Sequence, residues 1–196
     1  MGWQYTPITA STASVTNRLV TSTNMKVGAY TVANASAVWA AGFHVTVTGT
    51  QVGGVDDTLG TVVFVGTDLN GQGVTETLTP VNGSTVEGSV IFRVVTSVTG
   101  VGWVINTGND TLVCGVAGCY PMGSGGVLHS IIVNTTAAAT VVLSDKRGTI
   151  ATLKASIAEN TYYYDVDVSG YLKVATTSTN DVTVTHSGTV PTFATS

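Results

Sequence analysis

A chain of 196 residues is long enough for one large β-sandwich or two small ones with real cores, and two β-domains are expected. Its net charge of −4 and seven scattered cations (Arg18, Lys26, Arg93, Lys146, Arg147, Lys154, Lys173) exclude a basic stripe for a phosphate backbone, so no nucleic-acid partner is expected. No stretch nears the roughly 18 apolar residues that cross a bilayer, and the start Met1-Gly2-Trp3-Gln4-Tyr5-Thr6-Pro7 lacks the pattern of a secretory signal. The expectation is a soluble protein made in a cytoplasm, with no membrane partner.

The 35 Thr and 33 Val make up about a third of the chain, while charged residues make up only 9%. Both dominant residues branch at Cβ, which disfavours helix and suits a pleated surface. A soluble domain usually carries about 25% charge. A surface clothed in Thr, Ser, Asn and Gly therefore fits a molecule that lies against neighbours, the plainer alternative being Thr-rich solvated faces.

In chain order, residues 1–26 read as an extended N-terminal arm, because the Thr, Ser and Asn that dominate residues 8–26 offer little to bury. Asn34 to Gly42 has the cap residues of a two-turn helix. His44 to Gly49 alternates apolar and polar as a half-buried strand does, and Thr61 to Thr67 suits a strand covered on both sides. Asp68-Leu69-Asn70-Gly71-Gln72-Gly73 predicts a tight turn, with Val74 to Thr79 as the returning strand. Val81 to Thr85 is a second turn, and Val90 to Val98 reads as a long strand. Pro121 to Gly126 is a Gly/Ser linker by composition. Beyond it, six strands are expected at 127–134, 140–145, 149–154, 161–166, 171–176 and 181–186, with a hairpin turn at Asp145-Lys146-Arg147-Gly148. The fold expected is all-β: two antiparallel β-sandwich or barrel domains, at 27–120 and 127–196, with an arm at 1–26 and a linker at 121–126.

Chemistry-bearing residues are sparse. Cys114 and Cys119 enclose glycines that would let the chain curl into a bridge, but so short a loop gains little, and a reducing compartment keeps thiols free. The histidines at 44, 129 and 186 are isolated in sequence from each other and from the cysteines, so neither a zinc site nor a Cys-His catalytic pair assembles on spacing alone. Asp165 and Asp167 project to one side of a strand end, as a glycosidase pair would in a cleft or as solvated carboxylates would without one. Asp56-Asp57 reads as a loop with some calcium character, and Asp68-Leu69-Asn70-Gly71 begins like a calcium loop but lacks the later acidic ligand. Tyr162, Tyr164, Tyr171 and Trp103 are candidates for a sugar-stacking platform or, more simply, for packing; alternation puts Tyr162 and Tyr164 on one face and Tyr163 on the other. Asn34, Asn82, Asn109 and Asn134 form glycosylation sequons that so much Thr makes frequent by chance. No catalytic residue, metal or cofactor is expected.

The run from Gly66 to Leu78, Gly-Thr-Asp-Leu-Asn-Gly-Gln-Gly-Val-Thr-Glu-Thr-Leu, followed by Phe92-Arg93-Val94-Val95-Thr96-Ser97-Val98, resembles a hairpin of small structural proteins in tailed-bacteriophage virions. The tract from Gly126 to Val184, with Ile131-Ile132-Val133-Asn134 and Thr149-Ile150-Ala151-Thr152-Leu153, resembles β-sandwich modules of phage head decoration and fibre proteins. The two stretches cover about half the chain. The resemblance implies a virion component without catalysis: a capsid decoration or cement protein that braces the outer shell. A tail tube, adaptor or fibre component is the first alternative, and a carbohydrate-binding module the second. The implied partners are the major capsid protein and further copies of the chain, since closed oligomers are common in such proteins and trimers suit capsid three-fold positions.

Overall fold

The computed structural model describes residues 2–25, 27–52, 58–104, 110–136, 139–176, 178 and 180–187. Among them the chain is all-β and contains no helix, as its β-branched composition demands. The first strands are β1 (Gln4–Ile8), β2 (Val15–Asn24), β3 (Gly28–Tyr30), β4 (Gly42–Thr50) and β5 (Thr61–Thr67). There follow β6 (Gly73–Leu78), β7 (Thr85–Glu87), β8 (Val94–Val101), β9 (Thr111–Met122) and β10 (Gly126–Val133). The last are β11 (Val141–Asp145), β12 (Gly148–Leu153), β13 (Asn160–Val168), β14 (Leu172–Ala175) and β15 (Val182–Ser187).

Every ladder between these strands is antiparallel. One sheet runs β3-β8-β5-β6, a second runs β1-β15-β10-β13, and a third runs β12-β11-β14-β9-β4-β7 with β2 also on β9. Alternation along the strands sends one set of side chains into a single sandwich-type core. Phe64 and Val62 of the first sheet, Leu128, Ile131 and Val184 of the second, and Val45, Val47, Val116 and Leu143 of the third all belong to that cluster and are fully buried.

Strand β9 decides the organisation. One of its edges pairs with β4 along nearly its whole length; the other pairs with β2 from Thr111 to Val116 and then with β14 from Cys119 to Met122. The two halves thus share a strand. The expected linker at 121–126 is corrected accordingly: Pro121 and Met122 finish β9 and Gly126 opens β10, leaving three residues between. Pro121 is tolerated because proline lacks only a donor, and the third sheet continues past it through the Leu172–Met122 pairing.

The expected arm at 1–26 is corrected as well. It holds two strands, β1 zipped to β15 from Gln4–His186 to Ile8–Val182, and β2 on β9. The Thr, Asn and Ser on the outward side of β2 concealed that strand, and β1 shows Tyr5 and Pro7 outward, while Ile8, Leu19 and Val20 face the core. The chain's first strand therefore completes the sheet made by its last. The two-turn helix at 34–42 is absent too. These residues cross between sheets, and their backbone bonds go to distant strands: Val95 donates to Ala35 and Ala33 donates to Leu19. Trp39 and Ala41 are buried there, so tertiary contacts override the local caps.

Most turns agree with the sequence reading. Asp68 Oδ1 accepts the amides of Asn70 (2.7 Å) and Gln72 (2.9 Å), closing the β5-β6 turn. At the β11-β12 hairpin Asp145, only 4% exposed, is held by Arg147: Nε and Nη2 donate to Oδ2 at 2.9 and 2.7 Å, and the Arg147 amide donates to Oδ1 at 2.8 Å. The Ser169 amide adds a fourth bond at 2.8 Å, tying the hairpin to the end of β13. The Arg147 side chain first, then the Ser169 amide, hold the Asp145 carboxyl down to about 2 from an ordinary 3.8. On the core side of β15, His186 is buried with Nε2 3.1 Å from Thr6 Oγ1, and desolvation lowers its pKa from 6.5.

Both groups predict acid sensitivity of the same sign. For Asp145 the unfolded chain binds the proton at a higher pH than the folded one, so its stabilisation is whole above about 4 and fades towards about 2. For His186 the unfolded chain again takes up the proton first, so stability begins to fall as pH drops below 6.5. Urea midpoints measured from pH 7 to pH 2 should decline in these two windows, and Asp145→Asn should flatten the lower one. An unchanged acid limb in Asp145→Asn would contradict the assignment.

Candidate functional site

The outer face of the β1-β15-β10-β13 sheet carries the clearest constellation. Its geometry starts from a bulge: Leu128 and Ser130 pair with consecutive residues of β15, so His129 is one residue too many on β10. On the other side, the β13 register skips Tyr164 and Asp165, and Asp165 takes a positive φ of 47° there. The bulge turns His129 outward, where Nδ1 meets Asp165 Oδ1. Trp3, just ahead of β1, reaches across β15 and stacks on the His129 ring with centroids 4.3 Å apart and planes 22° from parallel. Tyr163 meets the same imidazole edge-on at 5.4 Å. Tyr5 lies on this face opposite Thr185. Trp3, Tyr5 and Tyr163 remain 45%, 65% and 68% exposed, unusual for rings this large.

A second cluster marks the place where the halves meet on β9. His44 Nδ1 lies 2.9 Å from Glu87 Oε1 and 3.2 Å from the Tyr120 hydroxyl, and the His44 and Tyr120 rings stack at 4.5 Å. Tyr171 packs edge-on to Tyr120 at 5.5 Å, and Lys173 Nζ sits 5.6 Å from the Tyr120 ring centre. Gly118 turns the strand with φ of 67°, and a side chain there would strike the Tyr120 ring. An open groove of about 330 Å³ runs beside the cluster, lined by Thr12, Ser14, Glu87, Thr140, Lys173 and Thr176. Burial above all, then the negative charge of Glu87, raises the Tyr120 hydroxyl well beyond its usual range, so it stays protonated and acts as a packing group.

The other sequence candidates are dispersed. Trp103 is in the core, and Tyr162 and Tyr164 pack against it from β13, so with Tyr171 at the junction the four rings form no platform. Tyr163, on the opposite face, is the ring that is displayed. Asp165 and Asp167 both face outward and exposed, but Asp165 is engaged by His129, and Arg147 Nη2 donates to the Asp167 carbonyl. Cys114 and Cys119 are both free and buried. Burial pushes the Cys114 thiol up to about 12 and raises Cys119 further, so neither supplies a thiolate at neutral pH. The Asp68 carboxylate is occupied by the amides of its own turn. Asn82 Oδ1 accepts the Gln51 amide, Asn34 Nδ2 donates to the Arg18 carbonyl, and Asn134 Nδ2 donates to Asp181. Asp56, Asp57, Asn109 and Lys26 lie outside the described residues. Among the described residues, no three His, Cys, Asp or Glu side chains converge as a metal site would require.

Sequence reasoning missed Trp3 and Tyr5 because they sit in the segment read as an arm. Their alternation with buried Thr6 and Ile8 was the available signal, but pairing to β15 is what sets them beside His129 and Tyr163. No protein-family model, curated protein or solved structure matches the chain.

Proposed function

We propose that the chain is a non-enzymatic structural protein of a phage virion, a decoration or cement protein that binds the outer surface of the head and braces neighbouring capsomers. The observation that carries this reading is the distribution of exposed aliphatic side chains. Among the described residues, the exposed valines are Val27, Val38, Val52, Val65, Val81, Val101 and Val104, all ahead of β9. Five of them gather at one end. Val27 and Val101 flank the Gly28–Gly100 pairing, and Val104 sits at the bridge to Thr58, which leads into β5. Val52 follows β4, where the Asp110 carboxylate accepts its amide, and Val81 starts the turn that bridges Asn82 to Gly49. The Met25 amide bonds to the Asp110 carbonyl and joins the two groups.

This end lies away from the β14 pairing, and so away from the C-terminal half. Valine exposed to water gains only by excluding it, so a cluster of such side chains favours docking on another protein. Repetition over identical shell sites lets modest contacts sum, and assembly of copies into a closed oligomer, a trimer at three-fold positions, multiplies them. The chain would then be made in the host bacterial cytoplasm and reside on the virion.

The test is sedimentation of the purified chain with assembled heads of the phage that encodes it, followed by imaging. Density repeated over the shell is the expected result, with occupancy lost in Val101→Asp. Density confined to the tail vertex, or a monomer that ignores the heads, rejects the proposal.

A further inference from the structure

The exposed apolar side chains divide by chemistry as well as by place. Among the described residues, the exposed valines lie between β2 and β9, whereas the exposed aromatic rings, Trp3, Tyr5 and Tyr163, all lie on the outer face of the β1-β15-β10-β13 sheet. An aliphatic end suits a dry protein contact. A face of rings mixed with hydroxyls and carboxylates suits a ligand that is itself half apolar and half hydroxylated. A pyranose is such a ligand: its axial C–H groups form an apolar face that lies flat on an aromatic ring, and its equatorial hydroxyls need acceptors at the rim.

We propose that this face is a saccharide-binding site, with a pyranose ring stacked on Trp3, Tyr163 flanking it at an angle from the other side of His129, and its hydroxyls bonded to Asp165. Three observations carry it. First, the Trp3 ring is held in place by its stack on His129, itself held by Asp165, so the platform is pre-organised and little side-chain freedom is lost on binding. Second, a carboxylate has two acceptor oxygens, and the bond to His129 uses only Oδ1, leaving the exposed Asp165 able to accept from a sugar. Third, Thr185 is 2% exposed, sits between Tyr5 and Ser130 on this face, and its Oγ1 has no hydrogen-bond partner. A buried hydroxyl left unpaired among rings marks a place where a polar atom from outside is wanted.

Charge narrows the class. The four strands of the sheet contain no Lys or Arg and carry Asp165 and Asp167, which disfavours uronic and sialic acids and favours neutral or N-acetylated amino sugars. This inference is independent of what the valine-rich end binds.

The experiment titrates the full-length chain with chitotriose and cellotriose, with polygalacturonate as the acidic comparison. Trp39 and Trp103 are buried, so a change in tryptophan emission reports Trp3, and calorimetry reads the variants that lack it. At least one of the two neutral probes is expected to bind, with affinity falling at least tenfold in Trp3→Ala and in Tyr163→Ala and staying within about threefold in Tyr163→Phe. Both positions are exposed, and a thermal midpoint close to that of the parent verifies the fold of each variant. Binding by neither neutral probe, preference for polygalacturonate, or equal affinity in the alanine variants would overturn the proposal. So would loss of self-association in Trp3→Ala without any effect on sugars, which would make the face a contact between copies.

Discussion

Gly115→Ala should lower the thermal midpoint by about 6 to 12 °C, the shift that a loss of about 3 kcal/mol gives in a domain of this size. The glycine lies in β9 where β2 crosses closest. A Cβ at this position would stand 2.0 Å from the Val15 carbonyl oxygen and 2.5 and 2.6 Å from the carbonyl carbon and Cα of Thr16. All three are backbone atoms of the paired strand, so no side-chain rotation relieves the contact. One of the two strands must move, and β9 is pinned on its other edge by β4 through the Thr46–Gly115 pairing. Because β9 is also the strand the two halves share, the displacement disturbs the pairing of both halves. Gly73→Ala is the matched comparison: its Cβ would meet nothing within 4 Å, and surface changes of this kind stay within about 0.5 kcal/mol. Differential scanning calorimetry of the two variants decides the matter. Equal shifts would mean that the close approach of β2 to β9 does not constrain the fold.

Removing residues 1–10 should cost about 3 to 5 kcal/mol and turn a monodisperse preparation into one that associates with increasing concentration. Burial of Ile8, which has no exposed surface, accounts for about 1.5 to 3 kcal/mol of that loss. The remainder comes from the β1-β15 ladder and from the bond between Thr6 Oγ1 and His186 Nε2 at 3.1 Å. His186 Nδ1 already has no partner, so without Thr6 the buried imidazole is left wholly unpaired. The shortened chain also exposes one edge of β15 from Val182 to His186, a row of free backbone groups that invites pairing with another copy. Urea unfolding and sedimentation velocity measure the two effects separately. A truncated chain that keeps the urea midpoint and the sedimentation behaviour of the parent would show that β1 is a decoration and not part of the sheet.

These two regions are also where reading from sequence and folding in space part company. Strands β4, β5, β6 and the run from β10 to β15 were legible because their alternation and their Asn-Gly or Asp-x-x-Gly turns are local signals, and the chain obeys them. The Asp145 turn belongs to the same group. Strands β2 and β9 were hidden for opposite reasons. In β2 the outward side chains are so polar that the pattern looks like a loop. In β9 the glycines at 115 and 118 and Pro121 look like punctuation, yet Gly115 admits a neighbouring backbone and Gly118 makes room for a ring. A glycine required by close approach and a glycine that ends a strand are the same letter.

The aromatic face follows the same division. Alternation by itself determined that Tyr163 lies opposite Tyr162 and Tyr164, and that Asp165 and Asp167 share a side. It could not bring Trp3 to His129, because that contact depends on β1 pairing with β15 and on a bulge displacing one residue of β10. Composition, likewise, determined an all-β chain with a sparsely charged surface, since β-branching and charge are properties of residues taken singly. Only the tertiary structure decided that β1 completes the sheet that holds β15, that one strand belongs to both halves, and that most exposed valines gather at one end while the exposed rings share one sheet face. Those are long-range pairings, set by which edges and apolar faces remain to be covered once the local hairpins have formed.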